Sequence, residues 1–283
     1  NGYAANLSAA QALAGDFSHA LIDERAHPSL VDAAQMLNCP VLRFQHRDAE
    51  DAARIMRRIG TLTRPILLTD GMFAHDGSIA PLAAYLELLP RDGVILVDDA
   101  HAAGVLGQTG KGTAEHLGVS TSRIIRTVTL SKAFGVYGGA VLGPRTIRKR
   151  ILERSSLFVG NTPMPLPLAS AALCALEILR TSPALRNRLA RNVRDVKERL
   201  VEAGFPVPNT PSPIIPLVLR NMREIARCRE HLLACRIYPP FIRYPGGPPI
   251  GYFRFALSSE HQREQLDSLL KVLLEYSAAA ETG

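Results

Sequence analysis

The chain has 283 residues, enough for one large domain or a large and a small one, and at this length folding buries about 75% of the unfolded chain's surface. Its 47% hydrophobic and 21% charged residues are those of a globular protein with a full core and exclude long disorder. The formal charge of +7 comes mostly from arginines spread along amphipathic helices and not from a basic block with interleaved aromatics, which makes a nucleic-acid partner a weak reading and leaves anionic small substrates at least as compatible.

In chain order, apolar runs alternate with helical patterns from Phe17 to Gly143, the signature of βαβ units and a mainly parallel sheet. Strands are predicted at 20–23, 40–44, 66–69, 94–98, 125–131 and 139–143, with helices at 6–14, 28–37, 48–59, 80–89 and 145–157. The run VILVD is continuously apolar up to its aspartate, as a strand covered on both faces requires. A proline-dense connection, Asn161 to Pro167, leads into an apolar helix, and an arginine-rich helix follows Ser182-Pro183. A strand at 213–219, a helix at 221–235, a strand at 252–257 and a helix at 260–275 then describe a smaller α+β domain. The expected division is 1–183 and 184–283.

Cysteines 39, 174, 228 and 235 have no metal-ligand spacing, so free thiols and a cytoplasmic location are expected. No apolar run of about eighteen residues would span a bilayer.

Lysine occurs only at 111, 132, 149, 197 and 271. Lys149 and Lys197 sit in charged helical patterns and read as solvated surface charges. Lys132 differs: it stands at the mouth of the strand TVTLS, before glycines 135, 138 and 139, which allow close approach of backbone or ligand. A lysine that joins a carbonyl compound as a Schiff base needs such a rigid position.

Asp98, Asp99 and His101 end the strand VILVD, where ligands of an open parallel sheet bind. A metal site would use the same residue types. Taken with Lys132 they suit pyridoxal phosphate, which needs a Schiff-base lysine, an acid at the pyridine nitrogen and an anion-binding turn. Charges 4 Å apart interact by about 4 kcal/mol at an effective dielectric of 20, enough for Asp98 to keep that nitrogen protonated. Gly2-Tyr3 opens a helix and could present N–H groups to the phosphate. His27, at the start of the next helix, could stack on a flat cofactor. Histidines 19, 46, 75, 116, 231 and 261 read as surface or core residues.

NGYAAN, AHPSL, TDGMFAHDGSIAPL, LVDDAHAAGVLGQTGKGTAEHLG and TVTLSKAFGVYGGAVLG, in that order, resemble the α-oxoamine synthases, pyridoxal-phosphate enzymes of aminotransferase fold type I. The resemblance covers nearly the whole chain. It implies an α/β fold with a mainly parallel central sheet, helices on both faces, and a smaller C-terminal α+β domain. It makes Lys132 the Schiff-base lysine, Asp98 the pyridine-nitrogen partner, His101 the neighbour of the phenolic oxygen and His27 the stacking histidine, all four catalytic. Gly2, Tyr3 and Thr129 become phosphate contacts, and Arg254 binds the substrate carboxylate. Thr162 matches a threonine that reaches the phosphate of a neighbouring subunit, implying a homodimer with shared sites.

The implied substrates are an amino acid and an acyl-CoA, condensed to an aminoketone with loss of CO2 and CoA. SKAFGVYGGAV is nearest to the 8-amino-7-oxononanoate synthases of biotin biosynthesis, whereas TDGMF and GTAEHLG lean to the 2-amino-3-ketobutyrate CoA ligases. A scaffold subunit of impaired activity is the alternative of another class.

The sequence departs from the family pattern at several points. Ala74 stands where a serine is usual, His75 replaces a methionine, Gly110-Lys111-Gly112 replaces the commoner GRG, and 237–247 lacks the usual arginine-proline-proline run. The family's segment ahead of GYAAN is not included, so the large domain is expected to be incomplete on that side.

Overall fold

The computed structural model describes residues 1–60, 62–244 and 247–277. Among them are two compact units, one within residues 1–73 and 79–181, the other within 74–78 and 182–277.

The first unit is built on six strands: β1 (His19–Asp23), β2 (Val41–Phe44), β3 (Pro65–Asp70), β4 (Val94–Asp98), β5 (Ile124–Thr129) and β6 (Gly139–Leu142). Their order is β2-β1-β3-β4-β5-β6, parallel through β5, with β6 antiparallel at the edge. Helices α1 (Gly2–Leu13), α2 (Pro28–Met36), α3 (Ala49–Ile59), α4 (Leu82–Leu88), α5 (Thr113–His116), α6 (Arg145–Arg154), α7 (Ser156–Val159) and α8 (Leu166–Thr181) complete it.

Why both faces of the sheet are covered follows from side-chain alternation. Ala20, Ile22, Ile66, Leu68 and Leu96 pack under α1, α2 and α6 with Leu13, Leu30 and Ile147. Leu21, Leu67, Ile95 and Val97 point the other way, against Tyr85 and Leu82 of α4 and Ala52 of α3. Helix α3 starts at an Asp48 cap that accepts the Glu50 and Asp51 N–H groups and ends in Arg57 and Arg58, both favourable to the helix dipole. Helix α1 starts four residues earlier than its periodicity suggests, because the Asn1 side chain caps it by accepting the Ala4 N–H at 2.9 Å. Helix α5 has no counterpart among the predicted elements, and the helix expected at 145–157 is split at Ser155 into α6 and the short α7.

The second unit contains α9 (Pro183–Glu202), β7 (Ile214–Leu217), α10 (Met222–Ala234), β8 (Phe241–Ile242), β9 (Tyr252–Ala256) and α11 (Arg263–Ser277). Its antiparallel sheet runs β7-β9-β8. Phe253, Phe255, Ile215 and Leu217 form its core with Val196, Leu200, Leu232, Leu270 and Leu273. Strand β8 was not foreseen, being two residues long behind a proline pair, and residues 245–246 of the same segment lie outside the described residues.

One charge reading is corrected. Lys197 is 7% exposed, not solvated. Its ammonium donates to the carbonyls of Pro208 at 3.2 Å and Thr210 at 2.9 Å and to Thr210 Oγ1 at 3.3 Å. Lys149, by contrast, is a surface residue paired with Glu153. The four cysteines are free thiols. Among the described residues, no single helix is long and apolar enough to cross a membrane.

Candidate active site

Parallel strands bring their carboxyl ends to one edge, and three of them end there in aspartate: Asp23 of β1, Asp70 of β3 and Asp98 of β4. β5 ends beside them in Thr129, followed by the turn that carries Lys132. The turn is closed by backbone bonds, Gly135 N–H to Lys132 O at 3.0 Å, Val136 N–H to Leu130 O at 2.8 Å and Leu130 N–H to Gly138 O at 3.0 Å. Lys132 is thereby held on a short rigid loop with its side chain exposed.

Asp98 is 5% exposed and fully engaged. Asn6 Nδ2 donates to its Oδ2 at 2.7 Å, and the Ala100 N–H donates to its Oδ1 at 2.9 Å. Asn6 is the hub of this network. Its Nδ2 also donates to Ser29 Oγ at 2.8 Å, and its Oδ1 accepts the Thr127 hydroxyl. Ser29 Oγ lies 2.7 Å from His27 Nδ1.

His27 caps α2: its Nδ1 accepts the Ser29 N–H at 3.1 Å. A nitrogen that accepts is unprotonated, so the neutral ring carries its proton on Nε2. Burial pushes the His27 pKa down; the Asp98 charge opposes this and the Lys132 charge adds to it. The His27 backbone N–H donates to Asp70 Oδ2 at 2.8 Å. Asp70 is Asp98's register partner on the adjacent strand. Burial first, and the Asp98 charge second, push its carboxyl well above the usual range.

Asp99, next to Asp98, turns away into a separate buried contact, accepting the Thr113 hydroxyl at 2.7 Å and lying 3.7 Å from Arg126. Burial pushes it up to about 6. His101 is half-buried in the turn after β4, three residues past Asp98.

The amino end of α1 abuts the end of β5. A Cβ placed on Gly2 would lie 3.0 Å from Thr129 Cβ, so a side chain here would require Thr129 to give by a few tenths of an ångström. Ser131 Oγ is 2.8 Å from Thr129 Oγ1. The amino end of this twelve-residue helix, beside two hydroxyls, is the kind of place where an anion can be held. The Tyr3 side chain leaves it to bond Asp32, and its ring meets the His27 ring edge-on at 6.3 Å.

These residues fit pyridoxal phosphate: a helix end for its phosphate, a buried anion for its ring nitrogen, a neutral imidazole beside that anion and one lysine at the strand mouth. Asn6, Ser29, Asp70 and Ser131 belong to the constellation although sequence reasoning did not single them out. The Asn in GYAAN and the Ser in AHPSL are short polar residues in apolar helical surroundings, which was the available signal. Thr162 lies exposed in the connection before α8. Arg254 is in the second unit, on β9, where its Nη1 donates to the Ala74 carbonyl at 3.0 Å. Ala74 itself is buried.

Comparison with known proteins gives a consistent picture. The profile of the family described as aminotransferase class I and II matches residues 1–273. The 8-amino-7-oxononanoate synthase of Thioalkalivibrio sulfidiphilus is 36% identical over 275 residues, covering 96% of this chain and 70% of that protein. The enzyme of the same name from Symbiobacterium thermophilum is 33% identical over 273 residues, 95% of this chain and 70% of that protein. Among solved structures, serine palmitoyltransferase of Sphingomonas wittichii is 26% identical with a TM-score of 0.90, covering 99% of this chain and 71% of that one. The 8-amino-7-oxononanoate synthase of Francisella tularensis, at 24% identity and a TM-score of 0.86 over 99% of this chain and 81% of that one, shares the fold.

Proposed function

The chain belongs to the aminotransferase class I and II family, as an α-oxoamine synthase, and from that premise we propose that it condenses an amino acid with an acyl-CoA thioester, releasing CoA and CO2 and leaving an aminoketone. It is a pyridoxal-phosphate enzyme, and the bound cofactor supplies an electron sink for charge developing at the substrate's α-carbon.

The observation that carries the reading is the assembly of Lys132, the Asp98-Asn6-Ser29-His27 network and the amino end of α1 at one sheet edge. Lys132 would anchor the cofactor and, once released from it, take the α-proton of the amino acid. Asp98, oriented by Asn6, would hold the ring nitrogen protonated. His27 would offer a flat face to the ring, and His101 would donate to the phenolic oxygen. Gly2, the backbone of Tyr3 and Thr129 would hold the phosphate, while Arg254 would take the substrate carboxylate. The net condensation would join the α-carbon to the thioester carbonyl carbon, with the thiolate and CO2 as leaving groups and a proton returned to carbon.

Similarity to 8-amino-7-oxononanoate synthases over nearly the whole chain favours that type of the family. Measuring CoA release with glycine, alanine and serine crossed against acetyl, pimeloyl and long-chain thioesters tests it. Release confined to acetyl-CoA and glycine would move the assignment to the ketobutyrate ligase type, and no release with any pair would remove the acyltransferase reading.

We further propose a homodimer in which Thr162 serves the partner's site. Helix α8 supports it. None of its sixteen residues is buried, and Leu166, Leu173, Leu176 and Ile178 are 83%, 69%, 52% and 51% exposed. An apolar helix left open to this extent supports an interface there. The free thiols fit a cytoplasmic setting.

A further inference from the structure

We propose that Lys197 is a positioning residue for substrate binding: through Thr210 it clips the loop 74–78, which at its other end holds Arg254. The inference rests on the reading of Arg254 as the carboxylate-binding arginine, and every group in it belongs to the second unit.

An ammonium has three N–H donors, and Lys197 has three acceptors in reach, all on the segment that links α9 to β7: Pro208 O, Thr210 O and Thr210 Oγ1. Thr210 then spends its own hydroxyl proton on the Gly77 carbonyl at 3.0 Å. Gly77 is fitted to that contact, with φ of +76° and a Cβ position occupied by Ser212. At the opposite end of the loop, Arg254 Nη1 donates to Ala74 O at 3.0 Å. Between these ends Asp76 accepts the Ser78 N–H at 2.8 Å and lies 3.1 Å from His75 Nε2, so the loop is internally braced. A push on Gly77 is therefore passed to Ala74.

Burying a lysine is unfavourable, and burial pushes Lys197 down to about 8, against the opposing pull of Asp76 in the clipped loop itself. A buried cation in this position is spent on fixing the segment, since a surface lysine would serve α9 equally well.

The test uses the full-length holoenzyme with Lys197→Met, Thr210→Val and the double variant. The first readout is hydrogen-deuterium exchange of the peptide containing 74–78; the second is the KM for the amino acid against that for the thioester. Expected results are faster exchange in that peptide in each variant, an amino-acid KM raised about tenfold, a thioester KM within about twofold, and a double variant no worse than the singles. Unchanged exchange in Thr210→Val, or a fall in kcat with both KM values unchanged, overturns the proposal. Thr210→Val keeps the test decisive if Lys197→Met does not fold. If the wild-type enzyme proves to have a different activity, the exchange measurement still decides whether the clip exists, so the two failures are distinguishable.

Discussion

Asn6 and Asp98, 92 residues apart in sequence, are joined by a 2.7 Å hydrogen bond from the amide to the carboxylate in a buried site. The same amide nitrogen reaches Ser29 and hence His27. One residue of α1 thus sets the orientation of the acid at the end of β4 and of the imidazole at the start of α2. A hydrogen bond to a buried charged group contributes about 1.5–3 kcal/mol. Asn6→Ala is therefore expected to weaken pyridoxal phosphate affinity by about ten- to a hundredfold, measured by titrating the apoprotein and following absorbance. Unchanged affinity would show that Asp98 does not depend on Asn6.

Lys132 is expected to be the residue trapped by borohydride. Reduction followed by peptide mapping should place one phosphopyridoxyl group at Lys132 in the wild type and none in Lys132→Ala, with CoA release falling by roughly a thousandfold or more. An adduct on any other lysine would refute this.

The close approach of the amino end of α1 to Thr129 leaves little room for a side chain at Gly2. Gly2→Val pushes a branched carbon onto Thr129 and is expected to weaken binding of both the cofactor and inorganic phosphate by about tenfold or more, with little effect on the binding of pyridoxal, which lacks the phosphate. Equal losses for all three ligands would mean that the helix end had moved as a whole.

Asp99 gives a pH dependence whose sign follows from its raised pKa. A carboxyl at about 6 in the folded chain, against about 3.9 unfolded, binds its proton more tightly when folded. Its contribution to stability is complete below about pH 4 and is lost as the pH rises through about 6, amounting to about 3 kcal/mol. Denaturant unfolding between pH 4 and 7 should show this slope in the wild type and not in Asp99→Asn. Parallel profiles for the two proteins would refute it.

Helix α8 should cover another copy of the chain. Leu173→Arg places a charge in its exposed apolar face and is expected to shift the sedimentation coefficient from dimer to monomer, with loss of activity that mixing with a Lys132→Ala chain does not restore. A wild-type monomer would remove the basis for a shared site.

Much of the fold was legible because its signals are local. The apolar run ILLT located β3, the continuous apolar run up to Asp98 located β4, and the alternation with helical periods implied the parallel sheet. The antiparallel β8 was not legible, since two residues behind Pro239-Pro240 carry no period at all. Nor was the assignment of 74–78 to the second unit, which arises from Thr210 and Arg254 reaching back by more than a hundred residues.

The sequence by itself determined the chemistry available at the sheet edge: a lysine on a glycine turn, an aspartate at a strand end, a histidine at a helix start. These are requirements of local geometry, and residue type and spacing record them. Only the tertiary structure decided how those groups are held. Asn6 lies between Asp98, Ser29 and Thr127 because α1 packs across β5, and Lys197 is buried although its helix reads as a charged surface. Burial and hydrogen-bond partnership depend on which distant segments meet, and a local pattern of charge or polarity cannot encode that meeting.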